Sequence, residues 1–207
     1  MNGKLIVFEG PDGSGKTTIL KNINKKLINL GYPIMLVREP GGTFISEQIR
    51  EIIIDNNNTE MNSKTECLLF AASRAQLVEE KIKPALNRGE IILCDRFVLS
   101  SLLYQGVGRG LGINEVKKIN DFATGFIKPD LTIFFNIDYK TALMRKRANF
   151  KADRLESEDF DFHKKIFDAY IDLAKKYKED IKQVDASLSI DQVSENVLKL
   201  IEDLLEE

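Results

Sequence analysis

The sequence predicts an α/β fold, a parallel β-sheet layered between helices on both faces. Three observations carry this. Short apolar, β-branched runs recur along the chain, segments of helical spacing separate them, and a polar or charged residue follows each run directly. With 207 residues, 43% of them hydrophobic, and no Pro/Ser-rich or single-charge stretch dividing it, the chain is expected to form one domain over residues 1–207.

The first strand is read at Leu5–Phe8. It runs into Gly10-Pro11-Asp12-Gly13-Ser14-Gly15-Lys16-Thr17, after which Leu20, Ile23, Leu27 and Leu30 mark one face of a helix. A buried strand breaking into a glycine-rich turn and then a helix aims backbone N–H groups and the positive helix end at one point, which makes a polyphosphate cradle. Lys16 adds a mobile cation and Thr17 a hydroxyl for Mg²⁺.

The second run, Ile34–Val37, meets Arg38-Glu39-Pro40-Gly41-Gly42, an arginine at a strand end before a sharp turn. Helical spacing follows at Ile45, Ile49 and Ile52, then a polar turn at Asn56-Asn57-Asn58, then Leu68, Ala71, Ala75, Val78 and Ile82. Within that last helix Phe70 and Arg74 stand four apart and project from one face, a pairing that by itself is read as core and surface. The third run, Ile91–Cys94, ends in Asp95-Arg96, an apolar strand closed by an acid in the manner of a carboxylate that orders Mg²⁺. Ligands of open α/β sheets bind beyond the carboxyl ends of strands, where these residues stand.

Ser100 to Gly106 offers hydroxyls and an amide, and the glycines at 106, 108, 110 and 112 around Arg109 read as a mobile loop. A helix at Val116, Ile119 and Ala123 leads to a fourth run, Leu131–Phe135. The basic stretch Met144 to Arg154 is expected to act as a short lid, at about 145–157, bringing a cation to a moving phosphoryl group and keeping water out. Helical spacing at Ile166, Tyr170, Leu173 and Tyr177, a weaker strand at Ile181–Val184 and a last helix at Val193, Val197, Leu200 and Leu204 complete the chain.

Composition narrows the function. A net charge of −2 gives no electrostatic case for nucleic acid or a membrane surface. The two cysteines, Cys67 and Cys94, lie in apolar segments and read as reduced core thiols. His163, the single histidine, leaves little room for a Ser/His triad or a zinc hydrolase. No apolar signal segment opens the chain and no run reaches membrane-spanning length, so the cytoplasm is expected.

Taken together, Phe8 to Thr17, Arg38-Glu39-Pro40-Gly41-Gly42, Phe70-Ala71-Ala72-Ser73-Arg74, Asp95-Arg96-Phe97 and Tyr104-Gln105-Gly106 resemble the thymidylate kinase family in its bacterial form. The resemblance implies a P-loop NTPase fold, a five-stranded sheet in the order 2-3-1-4-5, and Mg²⁺-dependent transfer of the ATP γ-phosphoryl to thymidine monophosphate. It implies ATP binding by Gly10, Pro11, Asp12, Gly13, Ser14, Gly15, Lys16, Thr17, Thr18 and Arg145, with Arg145 against the adenine, and metal ordering by Thr17 and Asp95. Phe70 would stack on thymine, Arg74 would bond its edge, Arg50 would lie over it, and Ser101 and Gln105 would complete the base contacts. Arg38 and Arg96 would hold the acceptor phosphate, Asp12 the sugar 3′-hydroxyl, and Tyr104 would crowd the 2′ side. Lys16, Asp95, Arg96 and Arg154 are the implied catalytic set. Eukaryotic relatives carry an arginine in the P-loop where Gly13 stands here, and this chain resembles the bacterial kind, with the equivalent charge in the lid at Arg154. Asn149 and Lys151, in a lid stretch that varies, receive no role. A homodimer is implied by the resemblance alone. The alternatives are a kinase of another nucleoside monophosphate and a nucleotide switch or ATPase; against a guanine switch, Asn136-Ile137-Asp138-Tyr139 is not Asn-Lys-x-Asp.

Overall fold

A computed structural model describes residues 3–147 and 153–206. Five strands, β1 (Lys4–Glu9), β2 (Ile34–Arg38), β3 (Ile91–Asp95), β4 (Leu131–Asn136) and β5 (Ile181–Asp185), form one sheet in the order β2-β3-β1-β4-β5. All four pairings are parallel. Each strand begins on its apolar run or one residue before it and extends one residue beyond it, because the ladder continues through the polar residue that follows. The registers Phe8↔Asp95 and Arg38↔Asp95 therefore bring three strand ends level at one edge of the sheet.

Alternation along the strands sorts the core into two faces. Ile6, Phe8, Leu93, Ile133 and Phe135 pack on α1 (Lys16–Asn29) and α9 (Ile190–Glu206). Leu5, Val7, Ile92 and Cys94 face the layer built from α3 (Ser63–Leu77), a π-helical turn at Val78–Ile82 and α4 (Lys83–Asn87). Beside that layer lie α2 (Phe44–Ile54), capped by Thr43, whose side chain accepts from Ser46 N–H, and α6 (Ile113–Thr124). A third cluster joins Phe134 and Ile181 to α8 (Phe160–Lys176), capped by Asp159. Both cysteines are free and buried, and burial pushes the Cys94 thiol well up.

The glycine stretch expected to be a mobile loop is in its first half a packed helix. After α5 (Val98–Ser101) the chain forms a π-helix at Leu102–Gly108, which lies against α6 and α8. A Cβ on Gly108 would stand 2.8 Å from the Phe162 ring, so the glycine serves close packing there. Between β4 and α8 lies helix α7 (Tyr139–Arg147). Asn149 and Lys151 lie outside the described residues.

Candidate active site

β1 ends at Glu9, and the chain turns through Gly10–Gly15 into α1, whose N-cap Gly15 has φ 86°. The unshared N–H groups and positive end of α1 face this turn. Gly10, Pro11, Asp12, Gly13 and Ser14 form the loop, and Thr17 and Thr18 stand exposed at the helix start. Gly13 combines φ 85° with a backbone contact: a Cβ there would lie 2.1 Å from the Ala142 carbonyl oxygen. No arginine fits at that position unless α7 moves.

Lys16 is 6% exposed, its Nζ 3.4 Å from both Pro11 O and Asp12 Oδ1. Burial lowers its pKa and Arg96 adds to this, while Asp12, Asp95 and Glu9 pull the other way. A desolvated ammonium of this kind gains by meeting a polyphosphate. Thr17 Oγ1 donates to Asp95 Oδ2 at 2.7 Å, which brings the two expected metal ligands together at the mouth of the cradle. Hydroxyl and carboxylate oxygens suit Mg²⁺, which keeps several waters and binds through one or two carboxylates and substrate phosphates. The described residues hold no cluster of three or more His, Cys, Asp or Glu that could hold a metal ion.

Arg96, next after β3, has φ 69°, a left-handed backbone costing of order 1–3 kcal/mol that its surroundings must hold. Its N–H donates to Phe8 O at 3.0 Å, and the Cys94 thiol donates to its carbonyl at 2.9 Å. The guanidinium donates to Asp12 Oδ1 at 2.5 Å, Ser100 Oγ at 3.0 Å and the Tyr170 hydroxyl at 3.3 Å, and lies over the Tyr104 ring. Behind it Glu9, fully buried, accepts from Phe97 N–H, Ser100 N–H, Ser100 Oγ and the Tyr170 hydroxyl. The acid at the end of β1 thereby fixes two of the groups that hold Arg96.

A pocket opens beside the cradle and shares its wall, Asp12 and Arg96. It is lined by Phe70, Arg74, Ser101, Tyr104 and Gln105, by Glu39, Pro40 and Arg50, and by Asp153, Leu155 and Glu156 from the segment before α8. Arg74 is 2% exposed and donates to Glu39 Oε2 from Nε, to Phe97 O from Nη2, and to Ser101 Oγ and Asn120 Oδ1 from Nη1, while Nη2 also stands in an ion pair with Glu39 Oε2. Burial pushes the Glu39 carboxyl up against the pull of Arg74. Arg50 donates to Pro40 O at 3.1 Å. Arg38 is not brought into this pocket; it is exposed, donating to Pro40 O and to both carboxylate oxygens of Glu47.

Arg154 is held against α2 and α3. Its Nε donates to Ile53 O at 2.8 Å and its Nη2 to Glu66 Oε2 at 2.8 Å, while its backbone N–H reaches Ile54 O. Glu66 is fully buried and also accepts from Gln105 Nε2 and from Arg109, which pairs in turn with Glu158, just before α8. Burial pushes the Glu66 carboxyl up, but hydrogen bonds from Arg109, Gln105 and Arg154 outweigh it and hold it below the usual carboxylate range. Arg145 donates to Ala186 O at 2.9 Å, in the turn after β5.

Sequence reading missed Glu9, Glu66, Asn120 and Tyr170, and Glu39 was seen only as part of a turn. A buried acid inside an apolar stretch, as with Glu66 before Cys67-Leu68-Leu69, was the one available pointer.

The thymidylate kinase family model matches residues 8–197. The thymidylate kinase of Lactobacillus delbrueckii subsp. bulgaricus is 50% identical over 204 residues, covering 97% of this chain and 96% of that one. That of Bacillus pumilus is 47% identical over 207 residues, covering 99% and 98%. The crystal structure of thymidylate kinase from Ehrlichia chaffeensis superposes with a TM-score of 0.79 at 29% identity, covering 97% of this chain and 99% of that one. With the family model matched over residues 8–197 and relatives near 50% identical over almost the whole chain, the chain belongs to the thymidylate kinase family.

Proposed function

We propose that this chain transfers the γ-phosphoryl of ATP to thymidine monophosphate, giving the diphosphate used in dTTP synthesis, and that it does so in the cytoplasm as a homodimer. The observation that carries the reading is the shared wall. Asp12 contacts Lys16 on the cradle side and Arg96 on the pocket side, so a donor phosphate over Lys16 and an acceptor phosphate at Arg96 meet across one residue.

In this reading the cradle from Gly10 to Thr18 holds the ATP phosphates, Lys16 neutralises the oxygens of the moving group, and Arg145 borders the adenine. Thr17 and Asp95 hold Mg²⁺, which would screen charge on the donor phosphates. Arg96 aligns the attacking oxygen of the acceptor phosphate, with Arg38 joining it after leaving Glu47. Phe70 stacks on the thymine, Arg74, Ser101 and Gln105 bound its edge, Arg50 covers it, and Tyr104 and Asp12 meet the sugar. Arg154 reaches the phosphoryl by exchanging Glu66 for it when the lid moves. Closing the lid keeps water from the phosphoryl and favours transfer over hydrolysis.

The homodimer is supported by exposed apolar side chains on adjacent helices: Phe44, Ile45 and Ile52 of α2, Leu68 of α3, and Phe122 of α6. No helix among the described residues is long and apolar enough to cross a membrane. A coupled assay of ADP formation with Mg²⁺ tests the reaction against thymidine, deoxyuridine, deoxyguanosine, adenosine and uridine monophosphates, thymidine itself, and no acceptor. Highest turnover is expected with thymidine monophosphate, and equal turnover without acceptor would turn the reading toward an ATPase or switch.

A further inference from the structure

Gln105 lines the acceptor pocket and is buried, with its amide nitrogen 2.9 Å from Glu66 Oε1. An amide can be turned over, so which end faces a ligand is settled by chemistry. Glu66 decides it. The carboxylate is held below the usual range by Arg109, Gln105 and Arg154, so it stays ionised and can only accept. The NH₂ of Gln105 must therefore face Glu66, and a flipped amide would set two acceptors against each other in a buried site. The amide oxygen is left as the end without a partner among the described residues.

We propose that Glu66 is a positioning residue for base selectivity: by locking the Gln105 amide it makes the pocket present a hydrogen-bond acceptor, which accepts a base edge carrying a ring N–H and rejects one carrying a ring acceptor. Thymine donates from N3–H, whereas cytosine offers a bare N3. A cytosine edge leaves the buried Gln105 oxygen facing another acceptor, the situation in which sites built to bond a substrate group discriminate most sharply. The device does not separate thymine from uracil, since both carry N3–H. Because Arg154 and, through Arg109, Glu158 share the same carboxylate, the lid's anchor and the base reader are fixed by one group. The inference rests on the proposed acceptor, and it deepens that reading from the substrate to the residue that selects it.

The test is the ratio of kcat/KM for thymidine monophosphate to that for deoxycytidine monophosphate, which does not depend on the fraction of active enzyme. Glu66→Gln can pair with either amide orientation, and its ratio should fall by about tenfold or more. Glu66→Asp keeps an acceptor-only group and should retain most of the ratio, whereas a merely structural role for Glu66 would lower both kcat/KM values together. If Glu66→Gln does not fold, the double variant Glu66→Gln/Arg109→Gln, which also removes one of the two cations that pair with Glu66, serves in its place. A selective wild type with an unchanged ratio in the glutamine variant overturns this inference alone. A wild type indifferent to the two acceptors overturns the assignment of the pocket itself.

Discussion

Asp12 Oδ1 accepts from Arg96 Nη2 at 2.5 Å, joining the phosphate loop to the arginine that follows β3. The contact spans 84 residues of sequence, and it sets the two halves of the site against each other. In the proposed reaction donor and acceptor are thus linked through a part-buried ion pair with little freedom, since Arg96 is also held by Ser100 and Tyr170.

Arg96→Met should lower kcat/KM for the acceptor by about 10²–10³, because a fixed donor beside the attacking phosphate acts mainly where charge develops. Steady-state kinetics with acceptor varied would read this. A loss confined to ATP would place Arg96 on the wrong side of the wall.

Phe70→Ala should raise KM for the acceptor and leave KM for ATP nearly as it was, since Phe70 lines the acceptor pocket and no part of the cradle. Equal weakening of both substrates contradicts the stacking role.

Arg154→Ala separates two roles. Reaching the phosphoryl only on closure predicts a fall in kcat of roughly 10³ with a smaller change in acceptor KM. Unchanged kcat with a raised KM would mean that Arg154 stays on Glu66 and only supports the pocket wall.

Gly13→Ala should destabilise the fold by about 1–3 kcal/mol and weaken ATP binding, since the substitution meets both a left-handed backbone and the Ala142 carbonyl. Thermal unfolding with and without ATP checks it. A variant as stable as the parent would show that α7 yields.

Glu66 also gives a pH dependence. Its carboxyl lies below its unfolded value of about 4.3, so the unfolded state binds more protons and the stabilisation is complete above that value. It is lost as pH falls through the lower, folded value. Urea unfolding across the acid range should show a shallower decline for Glu66→Gln than for wild type, and parallel curves would contradict the assignment.

The sheet was legible because every apolar run became a strand, and the polar residue after each proved to be the strand's last. Arg38 and Asp95 were read as site candidates on that ground. The pocket's supports were not legible. Glu9 meets Tyr170 across 161 residues and Arg154 meets Glu66 across 88, pairings that no local spacing encodes. The Leu102–Gly108 helix was missed for another reason: glycine disfavours helix by about 1 kcal/mol, and packing against α8 overrides that preference here. Phe70 and Arg74 acquired meaning only through the resemblance, and Arg74's protein partners account for its burial.

The most direct test of the central claim is ³¹P NMR of the wild-type enzyme with ATP, Mg²⁺ and thymidine monophosphate, following where the γ-phosphoryl goes. Phosphoryl transfer to the acceptor gives loss of the ATP γ resonance with matched growth of thymidine diphosphate signals and little inorganic phosphate. Inorganic phosphate growing in their place, at a rate indifferent to the acceptor, would contradict it.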